Sequence, residues 1–326
     1  MPRLAVTDER WPVAGKFTIA RGSKSEAHVV TVTVSADGCE GRGECVPYPR
    51  YGESVAQVMA ALEAARGPVE AGLARDDIPS VIAPYAARNA LDCALWDLAA
   101  KQSGAPVWQL AGLPRPEPTI TAYTLSLDTP EAMGEAAAKA AQRPLLKLKL
   151  GREGDEERLS QVRRNAPASR LIVDANEGWR PDNLAAMLKA CADVGVELVE
   201  QPLPADHDEA LRGIARPVPV CADESAHGID TLEALVGKYD AINIKLDKTG
   251  GLTPAIALAR AARSLDLKIM VGCMLATSLA MAPAMLLSPL ADVIDLDGPL
   301  LLAGDRSPPI RYDGSLMYPP PPALWG

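Results

Sequence analysis

The sequence predicts an α/β protein in which a closed (β/α) barrel follows a smaller α+β domain. Two observations carry that reading. From Thr119 onward, short apolar strands alternate with amphipathic helical stretches, the pattern of parallel strands joined by helical crossovers. Eight such strands fall within fewer than 190 residues and none is followed by GxGxxG, so a closed barrel fits better than a doubly wound nucleotide-binding sheet.

Taken in order, the first 60 residues read as hairpin material followed by a turn-rich stretch. Residues 28–35 (HVVTVTVS) are rich in β-branched side chains and Asp37-Gly38 is a hairpin turn signal. Residues 15–27 read as a Gly-containing loop that closes over a ligand, and 46–52 (VPYPRYG) as loop chemistry. A helix is expected from about Val55. A second spans 84–101, with Pro84 in its first turn, Leu91, Leu95 and Leu98 on one face, and Gly104 ending it. The Pro-rich stretch from Pro114 reads as a linker, which sets expected domains of 1–115, 116–300 and a C-terminal segment, 301–326, that packs back on the first domain. The barrel strands are TITAYTL at 119, LLKLKL at 145, RLIVDAN at 170, VELVEQP at 196, VPVCADES at 218, DAINIKL at 240, LKIMVG at 267 and DVIDLDG at 292.

Composition narrows the function classes. With 42 acidic against 33 basic residues the formal charge is −9, a field that repels phosphate backbones, so neither nucleic acid nor an anionic membrane is an expected partner. No apolar run reaches spanning length and the N-terminus lacks a signal-peptide pattern. The six scattered cysteines form no CxxC pair, so reduced thiols in a cytoplasm are expected. A homo-oligomer is compatible with the sequence, which carries no signal for its order.

Catalytic residues of a (β/α) barrel stand at the C-terminal ends of strands. At those points the chain places Lys149, Asp174, Glu200, Asp223 and Lys245, at steps of 22 to 26 residues, and then Asp297, with one strand skipped before it. Strand parity supports convergence: Lys147 and Lys149 share one face, and Asp295 and Asp297 share another, each opposite apolar neighbours. Alone, each has a plainer reading. Lys-Leu-Lys suits a wet strand face, a strand-end carboxylate suits a helix cap, and Asp247-Lys248 suits a surface ion pair. Two lysines and several carboxylates recurring at barrel-unit spacing favour a joint site.

Asp174, Glu200 and Asp223 supply hard oxygen ligands that suit Mg²⁺, and Mn²⁺ fits the same set. Such a metal stabilises the oxyanion formed when a carboxylate substrate loses its α-proton. Lys149 and Lys245, far apart around the ring, suit two opposed acid/base groups, with Lys147 as an electrostatic helper whose charge lowers their pKa. Two opposed bases make a racemase or epimerase.

The stretches LysLeuLys at 147–149, AspAlaAsn at 174, GluGlnPro at 200, AlaAspGluSer at 222 and AsnIleLys at 243 resemble the muconate-lactonizing subgroup of the enolase superfamily. Residues 87–97 (ARNALDCALWD) are similar to the helix signature of its capping domain. The resemblance implies a (β/α)7β TIM-like barrel with an N-terminal α+β capping domain, and a Lys base with Mg²⁺. Within the subgroup, IARGS at 19–23, GECVPYPRYGES at 43–54, NIKLDKTGG at 243–251, GCML at 272–275 and DLDGP at 295–299 resemble dipeptide epimerases. That likeness implies a small dipeptide substrate, L-Ala-D-Glu interconverting with L-Ala-L-Glu in the recycling of cell-wall peptides. It also implies that Asp295 and Asp297 bind the α-ammonium. Arg21, with Lys24 second, is the candidate for the glutamyl carboxylate, and Tyr51, Thr124, Asn176 and Ser278 are candidates for contact with substrate or metal waters. The competing readings are epimerisation of other dipeptides, a lyase or isomerase like o-succinylbenzoate synthase or muconate cycloisomerase, and a non-catalytic dipeptide binder. Asp295 and Asp297 weigh against the lyase reading, because its substrates carry no ammonium.

Overall fold

The computed structural model describes all 326 residues. The chain begins with an antiparallel sheet of β1 (Arg3–Ile19), β2 (Gly22–Ala36) and β3 (Cys39–Cys45), in that spatial order. Alternation decides its faces: Val30, Val32 and Val34 enter a cap core with Leu4, Ala90 and Ala94, while Thr31 points the other way to Glu9. The β2–β3 turn is the expected Asp37-Gly38, both at positive φ. Residues 15–27 are not a loop as expected. They form the far end of the β1–β2 hairpin, shifted in register between Pro12 and Phe17 and turning at Ala20-Arg21.

Helix α1 (Val55–Ala64) starts at Ser54, whose side chain accepts from Gln57 N, and α2 (Arg66–Glu70) follows directly. Helix α3 (Ala86–Ser103) ends at Gly104 as expected but begins after Pro84, because Tyr85 intervenes at φ 86°, ψ −149°. Alanines on α3 lie directly against the backbone of β3. A β-carbon on Gly41 would stand 2.1 Å from Ala94 O, and one on Gly43 2.0 Å from Ala90 O, so only glycine admits this packing.

Eight parallel strands follow in chain order: β5 (Tyr123–Leu125), β6 (Leu145–Lys149), β7 (Arg170–Asp174), β8 (Val196–Glu200), β9 (Val220–Ala222), β10 (Ala241–Ile244), β11 (Lys268–Gly272) and β12 (Val293–Asp295). Ala122 N donating to Ile294 O and Leu296 N to Thr121 Oγ1 close the ring between the first and last. The architecture is therefore a (β/α)7β barrel under an N-terminal cap. The first expected strand is divided, because β4 (Thr119–Ile120) leaves the barrel to pair with β14 (Leu316–Met317), which pairs in turn with β13 (Tyr312–Asp313). Parity again sorts the side chains: Leu146, Leu148 and Leu150 join the outer core, whereas Leu145 meets Ile172, Leu198, Ala241 and Met270 in an apolar layer flooring the barrel. Lys147 and Lys149 stand above that floor.

Cap and barrel are tied by partly buried polar contacts. Arg306 pairs with Glu44 at 2.6 Å and Glu9 at 2.7 Å, and Trp96 Nε1 donates to Thr253 Oγ1. The C-terminus docks on α3, with Trp325 Nε1 donating to Cys93 O and Gly326 N to Asp97 Oδ1.

Asp247, on the barrel side, accepts from Val46 N and Asn89 Nδ2 on a single oxygen, Oδ1. Burial raises its carboxyl to about 7, with the Glu53 and Glu44 charges adding. The folded state therefore holds a proton that an unfolded Asp has released, and stability falls as pH rises from about 4 to 7, by roughly 4 kcal/mol for this group. An Asn oxygen can accept both bonds. Asp247→Asn is expected to match the wild type in denaturant unfolding at pH 4.5 and to exceed it by roughly 2–4 kcal/mol at pH 8. Equal gaps at the two pH values would refute this.

Candidate active site

Lys149, Asp174, Glu200 and Asp295 are the last residues of β6, β7, β8 and β12, and Asp223 and Lys245 directly follow β9 and β10. All six are buried, as are Lys147 and Asp297. With eight strands in sequential order, β6 and β10 are four apart, so Lys149 and Lys245 approach from opposite sides of the ring.

Ion pairs bind the rim together. Lys147 Nζ lies 2.6 Å from Glu200 Oε2, 2.7 Å from Asp295 Oδ2 and 3.3 Å from Asp174 Oδ2. Lys149 Nζ lies 2.6 Å from Asp174 Oδ2, and Lys245 Nζ 2.6 Å from Asp223 Oδ2. Two groups here escaped the sequence reading. Lys248 is no surface ion pair with Asp247, as its plainer reading had it: it is 1% exposed and its Nζ donates to Asp223 Oδ1, Asp223 O and Asn243 O. Glu224 is buried and pairs with Arg21. Asn243, which shares its strand face with Lys245, donates to Glu200 Oε1.

Electrostatics follow from this crowding. Burial and the Asp174 charge raise the Glu200 carboxyl to about 7, and burial with the Asp295 charge raises Asp297 to about 6. Burial would also raise Asp174, but the Lys149 and Lys147 ammonium groups outweigh it and hold it below the ordinary carboxylate range. Positive charge from Lys147 and a bound cation is the expected cause of a lowered Lys245 pKa. Burial and Lys147 do act that way, but Asp223 and Glu200 outweigh both and hold Lys245 protonated in this arrangement.

Three carboxylates on adjacent strands are a donor set that suits a hard divalent cation. No three acidic groups converge on one coordination point here, since lysine ammonium groups stand between them. The set nevertheless fits a cation: three carboxylates close together supply hard oxygen donors, and Glu200 Oε2 is buried without an aligned hydrogen bond.

Asp297 Oδ2 accepts from Thr124 N at 2.6 Å, while Asp295 Oδ1 is buried and unpartnered. Thr124, Lys149, Asp295 and Asp297 line one small cavity, floored on the cap side by Phe17. Tyr51, Asn176, Asp223, Glu224 and Lys245 line the adjoining one beneath the hairpin. Ser278 lies elsewhere: it is fully buried, with its N–H and hydroxyl on Asp305 and its oxygen accepting from Ile310 N.

Arg21 stands at the mouth with both terminal nitrogens of its guanidinium engaged. Its guanidinium donates to Asn176 O, Glu177 Oε2, Tyr48 OH and Glu224 Oε1 at 2.6–3.1 Å, so it fastens the hairpin to the barrel rim. Lys24 lies beside it, 5.3 Å from the Tyr48 ring centroid, and forms no ion pair.

This buried constellation at the barrel mouth coincides with two family matches. Residues 1–112 match the mandelate racemase/muconate lactonizing enzyme N-terminal domain, and 132–320 the enolase C-terminal domain-like family. The chain belongs to the mandelate racemase/muconate lactonizing enzyme family of the enolase superfamily. Within it, the chain is 48% identical to L-Ala-D/L-Glu epimerase of Escherichia coli, over 96% of this chain and 98% of that one. A crystal structure of an enolase family member from Agrobacterium tumefaciens, with homology to dipeptide epimerases and bound sodium and L-Ala-L-Glu, superposes with a TM-score of 0.98. It is 53% identical, with all of both chains covered. Dipeptide epimerase from Enterococcus faecalis, complexed with Mg and L-Leu-L-Tyr, superposes at 0.90 with 27% identity, over 98% of this chain and 96% of that one.

Proposed function

We propose that this family member is an isomerase, a dipeptide epimerase that interconverts L-Ala-D-Glu and L-Ala-L-Glu. The observation that carries the reading is the pair of buried lysines, Lys149 and Lys245, four strands apart around one cavity. The neutral amine of one takes the Glu α-proton and the ammonium of the other delivers a proton to the opposite face, so configuration inverts and protons balance. Asp174, Glu200 and Asp223 would hold a divalent cation, Mg²⁺ by likeness to the E. faecalis complex, with Mn²⁺ suited to the same ligands. Such an ion supplies positive charge for the oxyanion that develops on the α-carboxylate. Lys147, close to Asp174, Glu200 and Asp295, steadies the same charge and orients the carboxylates.

The unpartnered Asp295 Oδ1, with Asp297 and Thr124 beside it, suits the dipeptide ammonium. The likeness to the E. coli epimerase supports glutamate as the second residue, and with it a role in cell-wall peptide recycling in the cytoplasm. No helix is long and apolar enough to cross a membrane.

The deciding measurement is proton NMR of L-Ala-L-Glu in D₂O with protein and Mg²⁺. Loss of the Glu α-proton signal with appearance of L-Ala-D-Glu is expected, and persistence of that signal would reject the reading. Arg21 and Lys24 both line the cavity and are the candidates for the glutamyl carboxylate; Lys24, which has no carboxylate partner, can take it without breaking an existing pair. Lys24→Gln is expected to raise KM for Ala-Glu roughly tenfold, about the worth of one charged hydrogen bond, and to leave Ala-Leu unchanged. Equal effects on both dipeptides would remove Lys24 from specificity.

A further inference from the structure

Tyr85 occupies backbone space that L-residues rarely adopt, φ 86° and ψ −149°, at the foot of α3 in the cap. The helix itself does not require tyrosine there, since Asn89 N bonds to the Tyr85 carbonyl, which any residue supplies. What the side chain does is stack. Its ring lies 5.7 Å from that of Tyr51 and within 13° of parallel. His227, from the loop after β9, stands near perpendicular to both rings, 5.0 Å from Tyr51 and 5.6 Å from Tyr85. The imidazole is fixed by a 2.8 Å contact between Nε2 and Glu224 O. Tyr51 is thereby held in a three-ring cluster with one cap ring and one barrel ring.

Tyr51 lines the catalytic cavity with Asp223 and Lys245, and the charges of both act on its phenol. The aromatic neighbour of Lys149 is a different residue, Phe17, whose ring centroid lies 6.0 Å from Nζ. Lys149 lines the same cavity, but the barrel ring that meets Tyr51 belongs to the loop after β9, the strand beside β10 and Lys245, so the contact falls on the Lys245 side.

We propose that Tyr85 and His227 are positioning residues that hold Tyr51 on the Lys245 side of the cavity, where Tyr51 orients the Lys245 amine for its half of the proton transfer. This rests on the two-base reading above. In that half-reaction the substrate Cα–H bond breaks, the proton joins the neutral Lys245 amine, and the bonding pair moves into the α-carboxylate. Tyr51 neither gains nor loses a proton. The strain at Tyr85 persists because a ring is needed there.

The test is deuterium wash-in from D₂O into recovered starting dipeptide, measured from L-Ala-L-Glu and from L-Ala-D-Glu with full-length enzyme and Mg²⁺. Lys149→Ala identifies the diastereomer that Lys245 deprotonates, because exchange survives there alone. Tyr85→Gly, which suits the backbone but removes the ring, and Tyr51→Phe are each expected to slow wash-in roughly tenfold for that diastereomer, and to leave the other within about twofold. Tyr85→Phe, which keeps the stacked ring, is expected to behave as wild type. Equal slowing for both diastereomers, or wild-type wash-in in both Tyr85→Gly and Tyr51→Phe, overturns the proposal. Absence of face-selective exchange in Lys149→Ala would instead overturn the two-base reading itself.

Discussion

Lys245→Ala and Lys149→Ala are each expected to lower epimerisation by about 10³-fold while sparing solvent exchange at opposite diastereomers. The argument is geometric. The two amines stand four strands apart, so each reaches one face of the α-carbon and neither can substitute for the other. Removing one leaves the other able to abstract its own proton, exchange it with solvent and return it with configuration retained. In D₂O each variant should deuterate one diastereomer without forming the second. A site in which one lysine served both faces would behave differently: one variant would keep epimerising and the other would lose all exchange. Retained epimerisation in either variant would therefore reject the opposed-base assignment. Circular dichroism of both variants guards against unfolding as the cause of a loss.

The rim was legible in the sequence because a parallel barrel converts chain spacing into spatial convergence. Residues ending successive strands, such as Asp174, Glu200 and Asp223, must meet at one end. Parity added Lys147 and Asp295, since polar residues two apart on an otherwise apolar strand point inward together. Legibility ended where neighbours in sequence part company in space. Asp247 and Lys248 look like a surface pair, yet within one helical turn Asp247 faces the cap at Val46 and Asn89 while Lys248 faces Asp223. Glu224 was hidden by standing beside a ligand candidate, although AspGlu at a strand end was the available signal. The glycines at 15 and 22 suggested a loop, but Phe17, Thr18 and Ile19 pair with Lys24, Ser23 and Gly22 and draw that segment into the sheet. Tyr85, at positive φ, displaced the expected helix start from Pro84, and its ring meets Tyr51 and His227, contacts far away in sequence.

Asp223→Asn is expected to cost both activity and stability, and a second substitution separates the two. Asp223 neutralises two buried ammonium groups, Lys245 at Oδ2 and Lys248 at Oδ1, each at 2.6 Å. Without its charge, Lys245 retains Glu200 at 3.8 Å, but Lys248 is left fully buried with only the Asp223 and Asn243 carbonyls. Breaking such a pair from one side costs roughly 3–5 kcal/mol, because a desolvated charge remains uncompensated. Replacing both partners removes that charge. Adding Lys248→Met to Asp223→Asn should therefore recover most of the lost unfolding free energy in urea, within about 1–2 kcal/mol of wild type. Epimerisation should stay about 10³-fold down in the double variant, since the proposed cation ligand and the partner of Lys245 are still missing. If the double variant is no more stable than Asp223→Asn alone, the Lys248 charge is not what Asp223 stabilises. If activity returns with stability, Asp223 serves the fold and not the chemistry.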